Sequence, residues 1–180
     1  MYGIVNKSIE AMVNQEYGST VWQAILNQAG FQTPYFVGNQ SYPDQLTYDL
    51  VAATSQVLQL KPEQILDSFG HYWATHTAVE QYPELMENGG GNLKEFLFNL
   101  PNFHTQITLI LPELRPPHFR CEEHEEGVLL HYYSPREGLS PFLLGIIKGL
   151  GKVFDEAIEI QQIVFKGAEL DHDLFLIRWL

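Results

Sequence analysis

The chain has 180 residues, enough for one domain with a sizeable core, and 45% are hydrophobic with 13% aromatic, which excludes a disordered segment. Ten Lys and Arg against 22 Asp and Glu give a formal charge of -12, which argues against nucleic acid and anionic membrane as partners and makes each arginine conspicuous. The single cysteine, Cys121, excludes an internal disulfide and any Cys-based zinc or iron–sulfur site.

The N-terminal segment shows no apolar run behind basic residues, so no signal peptide is expected. The longest apolar run, around Leu139 to Leu150, is cut by Gly145, Lys148 and Gly149 and is too interrupted to span a membrane. A soluble, cytoplasmic protein is the expectation.

Ile4, Val5, Ile9, Met12 and Val13 recur at the period of an amphipathic helix. Gly18-Ser19-Thr20 breaks it and caps a second helix carrying Val21, Trp22, Ile25 and Leu26. Gly, Pro, Asn and Ser between Gly30 and Asp44 predict a loop. Leu46, Leu50, Val51, Val57 and Leu58 mark a third helix. Pro62 opens a fourth, continued by Ile65, Leu66, Phe69 and Trp73. Asn88 to Asn92, with three glycines, is a flexible connection but no domain boundary, because helical pattern resumes at once.

Leu93, Phe96, Leu97, Leu100, His104 and Ile107 then follow three- and four-residue spacing, which puts His104 on an apolar, core-facing side. From these residues alone, a buried neutral histidine bonded to a backbone carbonyl is the better reading than a metal ligand. After Pro112 the period changes. Pro116-Pro117 ends the helix, and His118 to Glu122 and Val128 to Ser134 alternate around an acidic turn, which predicts a hairpin. Leu139 to Phe154 is helical, with Gly145 and Gly149 giving a bare face for a packed helix or a flat macrocycle. Ala157 to Phe165 and Asp173 to Trp179 are two more strands joined by a Gly/Asp turn. The expectation is an α+β fold over residues 1–180 as a single domain: an N-terminal helical part, then an antiparallel sheet of about four strands with helices packed on it.

In Tyr132-Tyr133-Ser134-Pro135-Arg136 the period-two rule turns Tyr132, Ser134 and Arg136 the same way, about 6–7 Å apart. All three donate hydrogen bonds, and such a row suits an anion with two carboxylate arms. Pro135 marks a strand edge or terminus. Taken by itself, the row also fits an ordinary strand end with Arg136 paired to a surface acid such as Glu137. His71 and His76 are five apart and make a poor zinc pair, and His124 lies in an acidic turn of the kind that is usually solvated. The chain has no nucleophile elbow, zinc-protease helix motif, phosphate loop or dinucleotide fingerprint, so an enzyme reading has no constellation behind it.

The order of His104, Pro116-Pro117 and Tyr-x-Ser-x-Arg, with Met1-Tyr2-Gly3-Ile4-Val5-Asn6 and the stretch from Leu139 to Lys152, resembles the haem–nitric oxide/oxygen-binding (H-NOX) family over essentially the whole chain. The resemblance implies a gas sensor with noncovalent haem b lying between the helices and the sheet. A covalent Cys-x-x-Cys-His attachment is absent. It makes His104 the iron ligand and Tyr132, Ser134 and Arg136 the propionate clamp. Pro117 and Phe119 would press on the haem, and Ile4, Trp73, Phe142 and Leu143 would line or adjoin the distal pocket. Oxygen-binding members carry a distal Tyr on the helix matching Leu139 to Leu150. Here that helix has none, so nitric oxide and carbon monoxide are the expected ligands, with Trp73, Tyr2 or Tyr72 as the residues that could reverse this. No kinase, cyclase or chemoreceptor pattern is present. The expected partner is therefore a separate protein, by family analogy a histidine kinase or a cyclic-nucleotide enzyme. The competing class is a haem-free acidic interaction module that regulates a kinase or cyclase directly.

Overall fold

The computed structural model describes residues 1–31, 35–167 and 170–180. Residues 32–34 of the expected loop and 168–169 of the expected turn lie outside the described residues. Four helices come first: α1 (Gly3–Tyr17), α2 (Ser19–Gln28), α3 (Asp44–Leu58) and α4 (Pro62–Tyr72). The fourth does not run on through Trp73 as an α-helix. It widens into a π-helical stretch, Trp73–Ala78, followed by the short α5 (Val79–Gln81) and α6 (Pro83–Asn88). Apolar periodicity cannot register such a change, because an inserted residue alters the backbone ladder and not the choice of buried side chains.

Helix α7 (Leu93–Ile110) starts where Asn92 caps it, its side chain accepting from the Glu95 N–H at 2.9 Å. Gly90 just before it has φ +155, and a Cβ there would meet the Phe96 nitrogen at 2.6 Å, so the glycine run is a fitted turn. Strands β1 (His118–His124) and β2 (Gly127–Tyr133), helix α8 (Ser140–Val153), and strands β3 (Ile158–Val164) and β4 (Asp173–Trp179) complete the chain. The four strands form one antiparallel sheet in the order β1-β2-β4-β3. β2 is thus an interior strand that stops one residue before Ser134, so Pro135 marks a terminus and not an edge.

Two apolar cores result. One joins α1–α4 through Ile9, Met12, Ile25, Leu50 and Phe69. The other joins α7, α8 and the sheet through Leu93, Leu97, Leu130, Ile147, Phe175 and Ile177. Trp73 packs against both. The glycines of α8 serve helix packing and not a macrocycle: a Cβ at Gly145 would meet the Asp67 carbonyl oxygen at 2.0 Å, and one at Gly149 would meet Ala74 Cβ at 2.8 Å. Gly70 on α4 answers from the other side, 2.0 Å from the Phe142 carbonyl oxygen by the same construction. Among the described residues no helix is long and apolar enough to cross a membrane.

Candidate functional site

A cavity of about 260 Å³ lies between the helical part and the sheet. A buried water needs about 10–15 Å³ by this measure, so the space is far beyond a packing defect. Its wall is apolar for most of its extent, with Val5, Leu66, Phe69, Leu97, Ile107, Ile146 and Leu150 among its members. Ile4, Trp73, His104, Pro117, Phe119, Tyr132, Ser134, Arg136, Phe142 and Leu143 all border it. Residues from the first helix to the last are thus brought to one space.

His104 projects from α7 in the turn after Pro101. Its Nδ1 lies 2.9 Å from the Leu100 carbonyl oxygen. A carbonyl can only accept, so Nδ1 carries the proton and Nε2 keeps the lone pair. Burial lowers the His104 pKa, and the bond to Leu100 opposes this without reversing it, so the ring is held neutral. A neutral imidazole with a fixed tautomer and a free nitrogen on an apolar wall is the form that ligates a metal. The Phe119 ring stacks on it, centroids 5.3 Å apart, and the Tyr132 ring, on the neighbouring strand, lies 5.4 Å from that of Phe119.

The polar end of the cavity is built by the end of β2 and the residues that follow it. Tyr132 and Ser134 are buried, and Pro135 between Ser134 and Arg136 is exposed, so the period-two alternation runs past the end of the strand. Burial raises the Tyr132 pKa and keeps its phenol protonated. Ser134 Oγ accepts from the Arg136 backbone N–H at 3.1 Å, which leaves its hydroxyl proton to donate. The Arg136 guanidinium is already engaged. Its Nε donates to Asp44 Oδ2 at 2.7 Å and Nη1 to the Arg115 carbonyl oxygen at 2.8 Å. The planar fork has five N–H groups, so donors remain after these two bonds. Burial works to raise the Asp44 pKa, but hydrogen bonds from the terminal ammonium and Arg136 more than offset it and hold the carboxyl below its usual value.

The donor set fits a haem: one neutral imidazole on the apolar wall, and a tyrosine, a serine and an arginine at one end for two carboxylate arms. Sequence reasoning missed several contributors, among them Asp44 beside Arg136. Tyr48, Tyr82 and Arg115 also border the cavity, and the Leu100 carbonyl orients His104. Arg115 had a signal, since cations are scarce in this chain and it adjoins Pro116-Pro117. The two tyrosines had none. Of the residues named as possible distal donors, Tyr72 bonds Gln15 Oε1 at 3.3 Å and stacks on His76, while the Tyr2 hydroxyl accepts the Glu113 N–H at 2.8 Å. Trp73 packs edge-on against Phe69 and Phe142.

A family model described as Haem-NO-binding matches residues 2–162. The chain is 32% identical to soluble guanylate cyclase gcy-34 of Caenorhabditis elegans over 99% of its length and 28% of the relative's. It is 36% identical to gcy-32 of the same organism over 86% of its length and 23% of the relative's. It spans about a quarter of these curated relatives. Among solved structures, an H-NOX protein from S. oneidensis in the Fe(II)NO ligation state superposes with a TM-score of 0.90 at 20% identity, covering 100% of this chain and 99% of that one. An oxygen-binding H-NOX domain related to soluble guanylate cyclases, in its oxygen complex, gives 0.82 at 20% identity over 99% and 95%. At that identity these structures speak for the fold alone.

Proposed function

The chain belongs to the Haem-NO-binding (H-NOX) family of haem-based gas-sensing domains, and on that premise we propose that it binds nitric oxide and carbon monoxide at a ferrous, noncovalent haem b and excludes oxygen. Such a domain senses and does not catalyse. The observation that carries the reading is the neutral His104, its Nδ1 spent on Leu100, facing the same cavity as Tyr132, Ser134 and Arg136.

In this reading His104 Nε2 would bind the iron, and the Leu100 carbonyl fixes its tautomer. Tyr132, Ser134 and Arg136 hold the two propionates, and Asp44 orients the arginine. Pro117 and Phe119 would press on the haem, and Ile4, Trp73, Phe142 and Leu143 would line or adjoin the gas pocket. When bound, haem supplies an iron centre with one coordination position left for a diatomic gas. Oxygen is excluded because a gas with charge on its outer atom needs a hydrogen-bond donor, and α8 presents Phe142, Leu143, Ile146, Ile147 and Leu150 to the cavity.

Residues 1–180 act as one sensor domain, in the cytoplasm. The named relatives being soluble guanylate cyclases, the proposed output is a cyclic-nucleotide enzyme or a histidine kinase whose affinity differs between gas-free and gas-bound protein. The test is the visible spectrum of protein purified from haem-sufficient cells. An intense Soret band is expected. Protein that stays colourless after haem addition would replace this reading with a haem-free acidic interaction module.

A further inference from the structure

Helix α7 contains a proline in its interior, Pro101. A proline there removes the N–H that would bond the carbonyl four residues earlier, and its ring pushes that carbonyl aside. The carbonyl is that of Leu97, a residue with no exposed surface, so water cannot make good the loss. The structure supplies a donor from another element: Cys121 Sγ on β1 lies 3.2 Å from the Leu97 carbonyl oxygen. We infer that the Cys121 thiol takes the place of the missing Pro101 N–H and is a positioning residue for His104.

The placement supports this from two directions. Cys121 and Phe119 are two apart on β1 and so share a face of the strand. Phe119 stacks on the His104 ring, and Cys121 holds the backbone of the same helix at Leu97, two turns earlier. The strand thus grips α7 on both sides of the proline. Thr105 Oγ1 closes on the Pro101 carbonyl oxygen at 2.9 Å, a further side-chain bond at the interrupted ladder. Burial pushes the Cys121 pKa up to about 12, so the thiol keeps the proton it donates. Movement of His104 along the helix axis then loads the thiol bond and reaches the sheet through β1. That last consequence rests on reading His104 as the haem ligand, whereas the bond itself does not.

The experiment is a double-substitution cycle read by amide hydrogen exchange of α7 around Pro101 to Thr105 in the full chain as purified. Loss of the thiol leaves a buried carbonyl without a donor, and Cys121→Ala is expected to raise exchange about tenfold. Cys121→Ser keeps a donor and is expected to stay close to the parent protein. In a Pro101→Ala background the backbone N–H is restored, and Cys121→Ala is then expected to change exchange less than about twofold. The same rise in both backgrounds would mean that the thiol only fills space, and it would overturn the assignment. Since the chain has one cysteine, its S–H stretching band in the infrared is a second readout that does not depend on removing it. A band lowered by hydrogen bonding, which moves up in Pro101→Ala, supports the bond. A band at the free-thiol frequency in the unaltered chain refutes it. On haem-loaded protein, faster haem loss in Cys121→Ala but not in the Pro101→Ala, Cys121→Ala pair extends the result to His104. If exchange behaves as expected while haem loss does not change, the bond stands and its link to His104 falls.

Discussion

Arg136 Nε and Asp44 Oδ2 are 2.7 Å apart and join residues 92 positions distant in the chain. The pair ties the loop after β2 to the first turn of α3 at the polar end of the cavity, and it is shielded on the arginine side, where 18% of the side chain is exposed. The guanidinium is therefore oriented before any carboxylate of a ligand reaches it.

The first prediction concerns this arginine. In the proposed clamp, Arg136→Ala takes the cation from a propionate and leaves Asp44 with only the terminal ammonium of Met1 as its charged partner. Breaking such a charge-assisted pair costs roughly 2–5 kcal/mol, less where the carboxylates meet solvent. Haem transfer to an acceptor protein should be at least about tenfold faster in Arg136→Ala, and faster still with Tyr132→Phe added. Equal haem retention in the double variant and the parent chain rules the clamp out.

The second concerns the axial ligand. His104→Gly keeps the helix face but loses the imidazole, and the cavity it leaves accepts free imidazole. Ferrous protein is expected to lose its five-coordinate histidine spectrum and to regain it on imidazole addition. An unchanged spectrum in His104→Gly assigns the ligand elsewhere.

A third prediction is gas selectivity. Ferrous protein opened to air should show no stable oxygen complex, while nitric oxide and carbon monoxide each give a distinct spectrum. If an oxygen complex does persist, Trp73→Phe and Tyr82→Phe identify the donor, because both residues border the cavity and each substitution removes the polar hydrogen while leaving an aromatic side chain in place.

The fourth is a pH dependence away from the cavity. His131 packs against Glu122, Arg120, Tyr133 and His172, and its Nδ1 is 2.9 Å from His172 Nε2. The Asp171 carboxylate can only accept, so His172 Nδ1 carries a proton and its Nε2 accepts from His131. That leaves His131 Nε2 buried and without a hydrogen-bond partner among the described residues. Burial lowers the His131 pKa from its ordinary 6.5, with Glu122 opposing. The unfolded chain then binds more protons than the folded one, so stability is full above about 6.5 and falls as the pH drops from there toward the lowered folded value. His71 and His104 are shifted in the same direction. Chemical denaturation at a series of pH values should show the unfolding free energy falling on acidification, with a smaller slope in His131→Gln.

The fifth tests the close approach of α4 and α8. Gly145→Ala places a Cβ 2.0 Å from the Asp67 carbonyl oxygen and should cost about 3 kcal/mol as the helices separate. Thermal unfolding measures it. A variant as stable as the parent chain would show that the helices part without strain.

Much of this molecule is written in local pattern. The apolar periods mark α1–α4, α7 and α8, the alternation marks the β1–β2 hairpin, and the same alternation turns Tyr132, Ser134 and Arg136 toward one side. Burial of one face leaves its record every two or every three to four residues, so a linear reading recovers which side chains face inward. His104 on the apolar face of α7 was legible for that reason. What those side chains meet was not. The Asp44 partner of Arg136, the Leu97 carbonyl under Cys121, the tyrosines that entered the cavity wall and the helix against Gly145 all come from segments distant in the chain. The π-helical stretch at Trp73 and the Leu100 carbonyl that fixes the His104 tautomer are local, yet they are made by backbone groups that every residue carries alike. Sequence determined the faces because burial repeats with the period of the element. Tertiary structure decided the partners because they depend on which elements the topology brings together and on backbone groups that no residue code distinguishes.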